Sequence, residues 1–397
     1  MAVETPTAIN ADPFADPFSD IRPYRDDEVP GVLARLRRDP EFASVLVQMF
    51  LPRLGRYCMP LGRALVRLAL WRVLRGIRTV GDFQRLVERH LRPHMEKVAT
   101  ALTVSGLDRL DRTRGQVYIS NHRDIAMDPA LVNLMLYGNG MDTVRIAIGD
   151  NLLSKPFASD LMRINKSFIV KRAPQGRREK LAALQQLSAY IRHSVVAEHC
   201  SVWIAQREGR AKDGIDATET AILKMLALSR APGQDVTQAL DELRLVPVAI
   251  SYEFDPCDRD KARELHAMRS EGEYCKGAHE DLQSIYRGIM GEKGAVHVAF
   301  GAPLPLGLAT VEAAAAAIDR EILREYRLHA TNFAAYSLLY GADPGAERLR
   351  ATLEQQPGWA ASEQQFHARL AEVPEAERDI FLAMYANPLR RRLELAT

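Results

Sequence analysis

The chain contains the segment VYISNHRDIAMDPALVN at residues 117–133. Its apolar, β-branched start predicts a strand, and a helix is predicted from Asp128 and Pro129 onward, because proline suits the first helical turn. His122 then lies in the turn at the carboxyl end of the strand, with Asp124 two residues later. There an imidazole can act as a general base while a carboxylate holds its other N–H. The alternative is structural, with an aspartate that caps the helix and a histidine that is an ordinary turn residue.

Strands and helices alternate through the middle of the chain. Apolar runs predict strands at 116–120, 143–148, 167–171, 201–205, 245–252 and 295–300, and helical patterns lie at 129–137, 176–195, 217–229 and 279–290. Such alternation is typical of the α/β class, in which a sheet is buried on both faces. The predicted fold class is therefore α/β, a mixed sheet flanked by helices, with further helical regions toward both ends of the chain.

Charge and composition divide the chain into four predicted regions. Residues 1–30 have a net charge of −5 and are predicted to be a flexible acidic tail. Residues 31–105 are predicted to be a basic helical region that faces a membrane, with a net charge of +9 over residues 31–100. Residues 106–310 are the predicted α/β domain. Residues 311–397, rich in Ala, Leu, Glu and Arg, are predicted to be helical.

The basic region contains an amphipathic pattern, LGRALVRLALWRVLRGIR at residues 61–78. At 100° per residue, Arg63, Arg67 and other arginines share one sector, and apolar residues that include Val66 occupy the next. A basic helix with Trp71 beside it is typical of a helix that lies in a bilayer interface. The alternative is a helix packed on the protein's own core, with its arginines in water. No apolar run of the chain has the length of a membrane-spanning helix.

The overall composition argues against several other classes of protein. The chain has 53 basic and 51 acidic residues, whereas general nucleic-acid binders have a large basic excess. Its four cysteines show no C-x-x-C spacing, so the sequence predicts neither a disulfide framework nor a zinc site. The sequence predicts instead that the protein occupies a reducing compartment. His90 and His94 have the spacing of a helical metal site, but Pro93 lies between them. No metal and no cofactor are predicted.

Two further predicted strands end in basic turns. Lys171 and Arg172 come at the end of one, and the turn after residue 205 contains Glu208, Gly209 and Arg210. Guanidinium groups suit phosphate, and glycine lets a backbone approach a ligand closely. Either turn alone is typical of a solvated loop. Ligands of α/β proteins, however, usually bind at the carboxyl ends of strands, where His122 is also predicted to lie.

Four segments of the chain resemble the conserved blocks of the glycerolipid acyltransferases, the superfamily of glycerol-3-phosphate and lysophosphatidate acyltransferases. In order along the chain they are Asn121-His122-Arg123 running to Asp128-Pro129, SFIVKR at 167–172, Glu208-Gly209-Arg210 and VPVAI at 246–250. The resemblance covers about residues 100 to 310, and TNFAAYSLLYG at 331–341 is similar to the C-terminal part of bacterial glycerol-3-phosphate acyltransferase-like proteins. Two departures stand out: the histidine and aspartate of the first block are separated by one extra residue, and the third block is one residue short.

The resemblance implies that a fatty acyl group moves from acyl-CoA or acyl-carrier protein to a hydroxyl of glycerol-3-phosphate or of a lysophospholipid such as lysophosphatidate, in phospholipid biosynthesis. His122 would remove the hydroxyl proton, and either Asp128 or Asp124 would orient its ring. The substrate would be bound by Arg123, Lys171, Arg172, Glu208, Gly209, Arg210 and Pro247.

The same resemblance implies a phospholipid membrane as partner, with the protein peripheral on its cytoplasmic side. Acyl-CoA or acyl-carrier protein would be a co-substrate rather than a cofactor. Two alternatives stay open: a non-catalytic lipid-binding homologue, or an acyltransferase for an unusual lipid acceptor. A serine hydrolase is disfavoured because the chain has no G-x-S-x-G elbow.

Overall fold

The fold is built on a sheet that has seven strands in the described part of the chain, in the order β1-β7-β6-β2-β5-β3-β4. The computed structural model describes residues 16–153, 155–172, 176–277 and 280–395. The strands are β1 (Ala99–Ser105), β2 (Val117–Ser120), β3 (Arg145–Gly149), β4 (Ser167–Val170), β5 (Val202–Ala205), β6 (Leu245–Tyr252) and β7 (Gly294–Phe300).

Five neighbouring strands, β6, β2, β5, β3 and β4, are mutually parallel, so their carboxyl ends meet at one edge of the sheet. β7 is antiparallel to β6, and β1 is parallel to β7. Ser120, the last residue of β2, pairs with Ala205, the last residue of β5. It also pairs with Val248 of β6, which continues for four more residues to Tyr252. The end of β6 therefore extends past the turn that follows β2.

Helices cover both faces of the sheet and extend the chain at both ends. The helices before β2 are α1 (Val29–Arg38), α2 (Pro40–Phe50), α3 (Pro52–Tyr57), α4 (Met59–Leu74) and α5 (Val80–Val98). Those within the sheet region are α6 (Met127–Gly138), α7 (Pro156–Ile164), α8 (Arg177–Arg192), α9 (Thr220–Leu226), α10 (Val236–Leu243), α11 (Asp258–Glu271) and α12 (Glu280–Met290). The remainder are α13 (Val311–Glu325), α14 (Ala330–Tyr340), α15 (Pro344–Leu353), α16 (Trp359–Ala371) and α17 (Arg378–Glu394).

Two apolar cores lie on opposite faces of the sheet, because successive strand residues point to opposite sides. Val117 and Ile119 of β2 pack on one face with side chains of α8, α9, α10 and α13. Tyr118 packs on the other face with Met95 of α5 and the apolar side of α6. Burial on both faces explains why the parallel strands have continuous apolar sequences.

The predicted α/β class with a mixed sheet is confirmed. All six predicted strands are present, and the predicted helices within the sheet region correspond to α6, α8, α9 and α12. The structure adds β1, which the sequence analysis did not predict. This strand pairs along one side with β7, and its residues are intermediate or exposed, so the sequence ATALTVS has no strong apolar pattern.

Residues 16–30 belong to the predicted flexible tail, and the structure corrects that prediction for them. Ile21 is 2% exposed, and its carbonyl accepts a hydrogen bond from the Ile169 N–H of β4 at 2.9 Å. The Tyr24 hydroxyl donates to Asp160 at 2.6 Å. Apolar and aromatic residues among the acidic ones thus fix this segment against the domain. Residues 1–15 of the predicted tail lie outside the described residues.

The helices on the C-terminal side pack against the loops that follow β5 and β6. The Asn387 amide of α17 donates to the Asp213 carbonyl at 2.7 Å, and the Thr331 hydroxyl of α14 donates to the Glu253 carbonyl at 2.9 Å. Among the described helices, none combines the length and the apolar character that crossing a membrane requires.

Candidate active site

The turn after β2 brings His122 and Asp128 into direct contact. The imidazole Nδ1 lies 2.8 Å from Asp128 Oδ2. The same oxygen accepts hydrogen bonds from the backbone N–H groups of Arg123 at 2.6 Å and Asp124 at 2.9 Å. The turn therefore wraps around the carboxylate, which accommodates the extra residue between His122 and Asp128.

The surroundings of Asp128 determine which imidazole nitrogen carries a proton. Its side chain is fully buried, whereas that of His122 is 14% exposed. Its second oxygen, Oδ1, accepts a hydrogen bond from the Tyr252 hydroxyl at 2.7 Å. An ionised carboxylate only accepts, so His122 Nδ1 is the donor and the lone pair is on Nε2. This is the tautomer that a general base requires.

Asp124 has a different role from Asp128. Its Oδ1 accepts hydrogen bonds from the backbone N–H groups of Ala126 at 3.0 Å and Met127 at 2.8 Å, at the start of α6. Burial, followed by the neighbouring Asp128 carboxylate, raises the pKa of Asp124. Of the two aspartates predicted to orient His122, Asp128 makes the contact. The alternative prediction, that Asp124 orients the ring, is wrong because its carboxylate caps the helix.

Neighbouring strands fix the turn through backbone and side-chain hydrogen bonds. The Asn121 side chain bonds to both backbone groups of Ile250 in β6, donating to its carbonyl at 2.9 Å and accepting from its N–H at 2.8 Å. The Trp203 indole of β5 donates a hydrogen bond to the Ser120 hydroxyl at 3.0 Å. Its ring packs edge-to-face against the His122 ring, with 5.8 Å between the ring centroids. The buried Lys261 ammonium of α11 donates to the Arg123 carbonyl at 2.7 Å.

The turn after β5 lies against the turn that carries His122. The Ala211 N–H donates to the His122 carbonyl at 2.8 Å. Gly209 has φ +75°, a conformation that favours glycine, and a Cβ there would meet nothing within 4 Å. Arg210 is held by α12, where its guanidinium donates to the Ser284 hydroxyl at 2.7 Å. Glu208 is largely exposed, and one of its oxygens lies 3.7 Å from a guanidinium nitrogen of Arg172.

The structure therefore brings together His122, Arg172, Glu208, Gly209 and Arg210 at the carboxyl edge of the sheet. Lys171, which was predicted to bind substrate, is not part of this group. Its ammonium pairs with Asp20 at 2.5 Å and donates to the Gln186 side chain at 3.3 Å. It thereby holds the N-terminal segment against the domain.

Arg123 and Pro247 were also predicted to bind substrate, and the structure assigns them other roles. The Arg123 guanidinium is buried and pairs with Asp216 at 2.6 Å. It also donates to the Gly214 carbonyl at 3.3 Å, which ties together the turns after β2 and β5. Pro247 is buried within β6, where it pairs with Ile119. Both side chains are buried, and they support the site from inside the fold.

Tyr252 and Trp203 were not predicted as site residues, although their side chains contact the His122–Asp128 pair. Both lie in continuous apolar strand sequences, where a tyrosine or tryptophan is typical of the core. The position of Tyr252 in the sequence could have indicated its role. Tyr252 is the last residue of the longest predicted strand, and the site was predicted at the carboxyl ends of the strands. The contacts themselves depend on the strand register.

The comparison with protein families bears on the same region. Residues 101–251, which span β1 to β6 and contain the His122 turn, match the family model "Acyltransferase". This segment is therefore similar to acyltransferase domains, in agreement with the resemblance that the four sequence blocks indicate.

No curated protein sequence matches the chain. A solved structure, the 1-acyl-sn-glycerophosphate (LPA) acyltransferase PlsC from Thermotoga maritima, is 13% identical and has a TM-score of 0.39. The match covers 79% of this chain and 98% of that one.

Among the described residues, no group of three or more His, Cys, Asp and Glu side chains has an arrangement that could hold a metal ion. His90 and His94, the pair with helical metal-site spacing, are both bonded to carbonyls. His90 Nδ1 lies 2.9 Å from the Leu86 oxygen, and His94 Nε2 lies 2.8 Å from the Ile289 oxygen.

Proposed function

We propose that this protein is an acyltransferase that transfers a fatty acyl group from acyl-CoA or acyl-carrier protein to a hydroxyl of glycerol-3-phosphate or of a lysophospholipid such as lysophosphatidate, in phospholipid biosynthesis. The observation that carries the proposal is the 2.8 Å contact between His122 Nδ1 and the buried Asp128 carboxylate. This pair lies within the segment that matches the acyltransferase family model. Neither a metal nor a cofactor has a step in this reaction.

The reaction follows from the tautomer of the His122 imidazole, which has its lone pair on Nε2. This nitrogen takes the proton of the acceptor hydroxyl while the hydroxyl oxygen attacks the thioester carbon. The carbon–oxygen ester bond forms, the carbon–sulfur bond breaks, and the leaving thiolate takes the proton back from the imidazolium. Asp128 stabilises the imidazolium in between, as an oriented carboxylate does in acyl-transfer triads. No covalent acyl-enzyme is formed.

The basic side chains of this edge favour an acceptor that carries phosphate. Arg172 and Arg210 flank the turn at Gly209, and their guanidinium groups have the geometry that phosphate oxygens prefer. Holding the phosphate would orient the acceptor hydroxyl toward His122, and such orientation accounts for a large share of the rate in two-substrate reactions. This group distinguishes phosphate acceptors from neutral lipid alcohols.

We further propose that the protein binds the cytoplasmic surface of a phospholipid membrane through α2, α3 and α4. Nine large apolar side chains of this segment are at least 37% exposed: Val45, Met49, Phe50, Tyr57, Leu61, Leu65, Leu68, Trp71 and Val73. The buried residues of α4 are only Gly62, Val66 and Leu74. Residues 42–81 contain seven arginines and no acidic residue. Exposed apolar side chains among arginines suit an anionic bilayer surface.

The function is tested by acyl transfer with the purified full-length protein and vesicles that contain an anionic phospholipid. Labelled long-chain acyl-CoA and acyl-carrier protein are supplied in separate reactions, each with glycerol-3-phosphate, lysophosphatidate or a neutral lipid alcohol. The proposal predicts a labelled ester of one phosphate acceptor. An ester of the neutral alcohol alone would point to an unusual acceptor. Vesicle binding without an ester in any reaction would overturn the proposed function and favour a lipid-binding homologue.

A further inference from the structure

The Asp128 carboxylate is held on two sides. On the Oδ2 side it accepts from His122 and from two backbone N–H groups. On the Oδ1 side its partner is the Tyr252 hydroxyl, at 2.7 Å. This hydrogen bond joins residues 124 positions apart in the sequence. It therefore links the turn after β2 to the end of β6.

We propose that Tyr252 is a positioning residue for acyl transfer, whose hydroxyl fixes the Asp128 carboxylate and thereby the direction of the His122 imidazole. The proposal rests on the acyl transfer proposed above. Tyr252 acts through Asp128 and touches no reacting atom.

The geometry of β6 explains why this tyrosine can reach the carboxylate. Ser120 of β2 pairs with Val248, and β6 continues four residues beyond that pair, past the turn that contains His122. Tyr252 is 5% exposed, and its ring belongs to the same apolar core as Tyr118 and Trp203. The hydroxyl therefore approaches Asp128 from a rigid strand rather than from a mobile loop.

The hydroxyl also compensates for burial of the carboxylate. A buried carboxylate oxygen without a hydrogen bond is costly, and a hydrogen bond to a charged group is stronger than a neutral one. The titratable groups around Tyr252 are Asp128 and Asp124 on the β2 side and Asp255 after β6. Burial, with these carboxylates, keeps the pKa of Tyr252 well above its ordinary value, so the hydroxyl remains a donor. Without it, the carboxylate can rotate away from Nδ1.

The test compares Tyr252→Phe with Tyr118→Phe. Tyr118 is a matched control because it is buried in the same core, 2% exposed, and its hydroxyl lies 3.4 Å from Gln116 rather than near Asp128. The kcat and the KM for donor and acceptor are measured for both variants, together with their melting temperatures. Tyr252→Phe is expected to lower kcat by about 10- to 100-fold with both KM values unchanged, since one hydrogen bond to a charge is lost. Tyr118→Phe is expected to keep the wild-type kcat.

A second comparison separates positioning from general packing. In an Asp128→Asn background the carboxylate is already gone, so adding Tyr252→Phe is expected to lower kcat by less than about twofold further. If the losses of kcat from Asp128→Asn and Tyr252→Phe multiply in the double variant, the two residues act independently and the proposal is overturned. A Tyr252→Phe enzyme with wild-type kcat would overturn it as well. If Tyr252→Phe does not fold, Tyr252→Met replaces it in both comparisons, because methionine is an adaptable apolar side chain without a hydrogen-bond donor. The expected results are the same. A wild-type protein with no turnover would overturn the proposed function and this role together, a pattern distinct from a failure of Tyr252 alone.

Discussion

At the scale of the residue, the two aspartates of the His122 turn bind different groups. Asp128 accepts hydrogen bonds from the imidazole, from two backbone N–H groups and from Tyr252. Asp124 accepts hydrogen bonds from two backbone N–H groups at the start of α6. The first arrangement fixes a tautomer, and the second starts a helix. Substitution by asparagine distinguishes the two because it removes the charge in both but retains capping ability.

Asp128→Asn is expected to lower kcat by about 100-fold or more, because the imidazolium loses its counter-charge and the ring loses its fixed tautomer. Asp124→Asn is expected to keep most of the activity and most of the stability, since asparagine is as good a helix cap as aspartate. The measurement is steady-state kcat with a melting curve for each variant. Equal losses of kcat in the two variants would contradict this assignment.

The sequence predicted the residues of the site better than their contacts. His122, Arg172, Glu208, Gly209 and Arg210 follow strands whose carboxyl ends meet, so the alternating pattern was enough to group them. Arg123 follows His122 in the sequence, but its side chain points inward to Asp216, a contact that the sequence did not predict. Tyr252 was missed because its contact with Asp128 depends on how far β6 extends past β2, which local sequence does not determine.

At the scale of the element, α12 is the helix that supports both turns of the site. Ser284 accepts a hydrogen bond from Arg210, and Gly288, one turn later, faces Asp124. A Cβ at position 288 would lie 2.0 Å from Asp124 Oδ2. The helix can lie this close to the His122 turn only because residue 288 has no side chain. A methyl group there must move either the helix or the carboxylate that caps α6.

Gly288→Ala is therefore expected to reduce stability by about 1–3 kcal/mol and to lower kcat, despite the better helix propensity of alanine. Gly31→Ala is the matched control, because Gly31 also lies in a helix, α1, and a Cβ there would meet nothing within 4 Å. That variant is expected to be neutral or up to about 1 kcal/mol more stable. Urea unfolding of both variants measures the difference. A Gly288→Ala protein as stable as Gly31→Ala would show that the contact does not limit packing.

Elements with strong local patterns were predictable, and those defined by pairing were not. The parallel strands have continuous apolar sequences because both of their faces are buried. β1 follows α5 directly and pairs with β7 in a sequence of mostly small and polar residues, ATALTVS, which periodicity does not mark as a strand. α11 was missed for a related reason. Its sequence DRDKARELHAMRSE is rich in charge, and its buried residues are Asp258, Lys261 and Ala262 rather than an apolar stripe.

At the scale of the whole molecule, the apolar surface of α2, α3 and α4 distinguishes this region from the rest of the protein. The amphipathic pattern at residues 61–78 had two interpretations, packing on the protein's core or contact with a bilayer. The exposure of Leu61, Leu65, Leu68 and Trp71 leaves most of that pattern without a partner among the described residues. This exposure supports the bilayer interpretation. On that interpretation, we propose that this surface sets the direction in which the protein approaches a lipid acceptor.

A double variant tests the membrane proposal. Leu61→Glu with Leu68→Glu places two charges on side chains that are 51% and 52% exposed in the proposed membrane surface. Binding to anionic vesicles, measured by co-sedimentation, is expected to fall by about tenfold or more, from lost apolar contact and added repulsion. Leu306→Glu with Leu338→Glu is the matched control, with side chains 75% and 49% exposed outside this segment, and its binding is expected to stay near wild type. Equal losses in the two double variants would contradict the proposed surface.

We propose that His122 is the general base of acyl transfer, and the rate of ester formation tests this role. The rate of ester formation is compared between the wild-type protein and His122→Gln on the same vesicles, with vesicle binding and the melting temperature as checks on folding. Loss of the general base is expected to lower kcat by about 10²- to 10⁴-fold and to leave vesicle binding unchanged. If folded His122→Gln protein forms the ester within about threefold of the wild-type rate, a loss of less than about 1 kcal/mol in transition-state stabilisation, then His122 is not the general base.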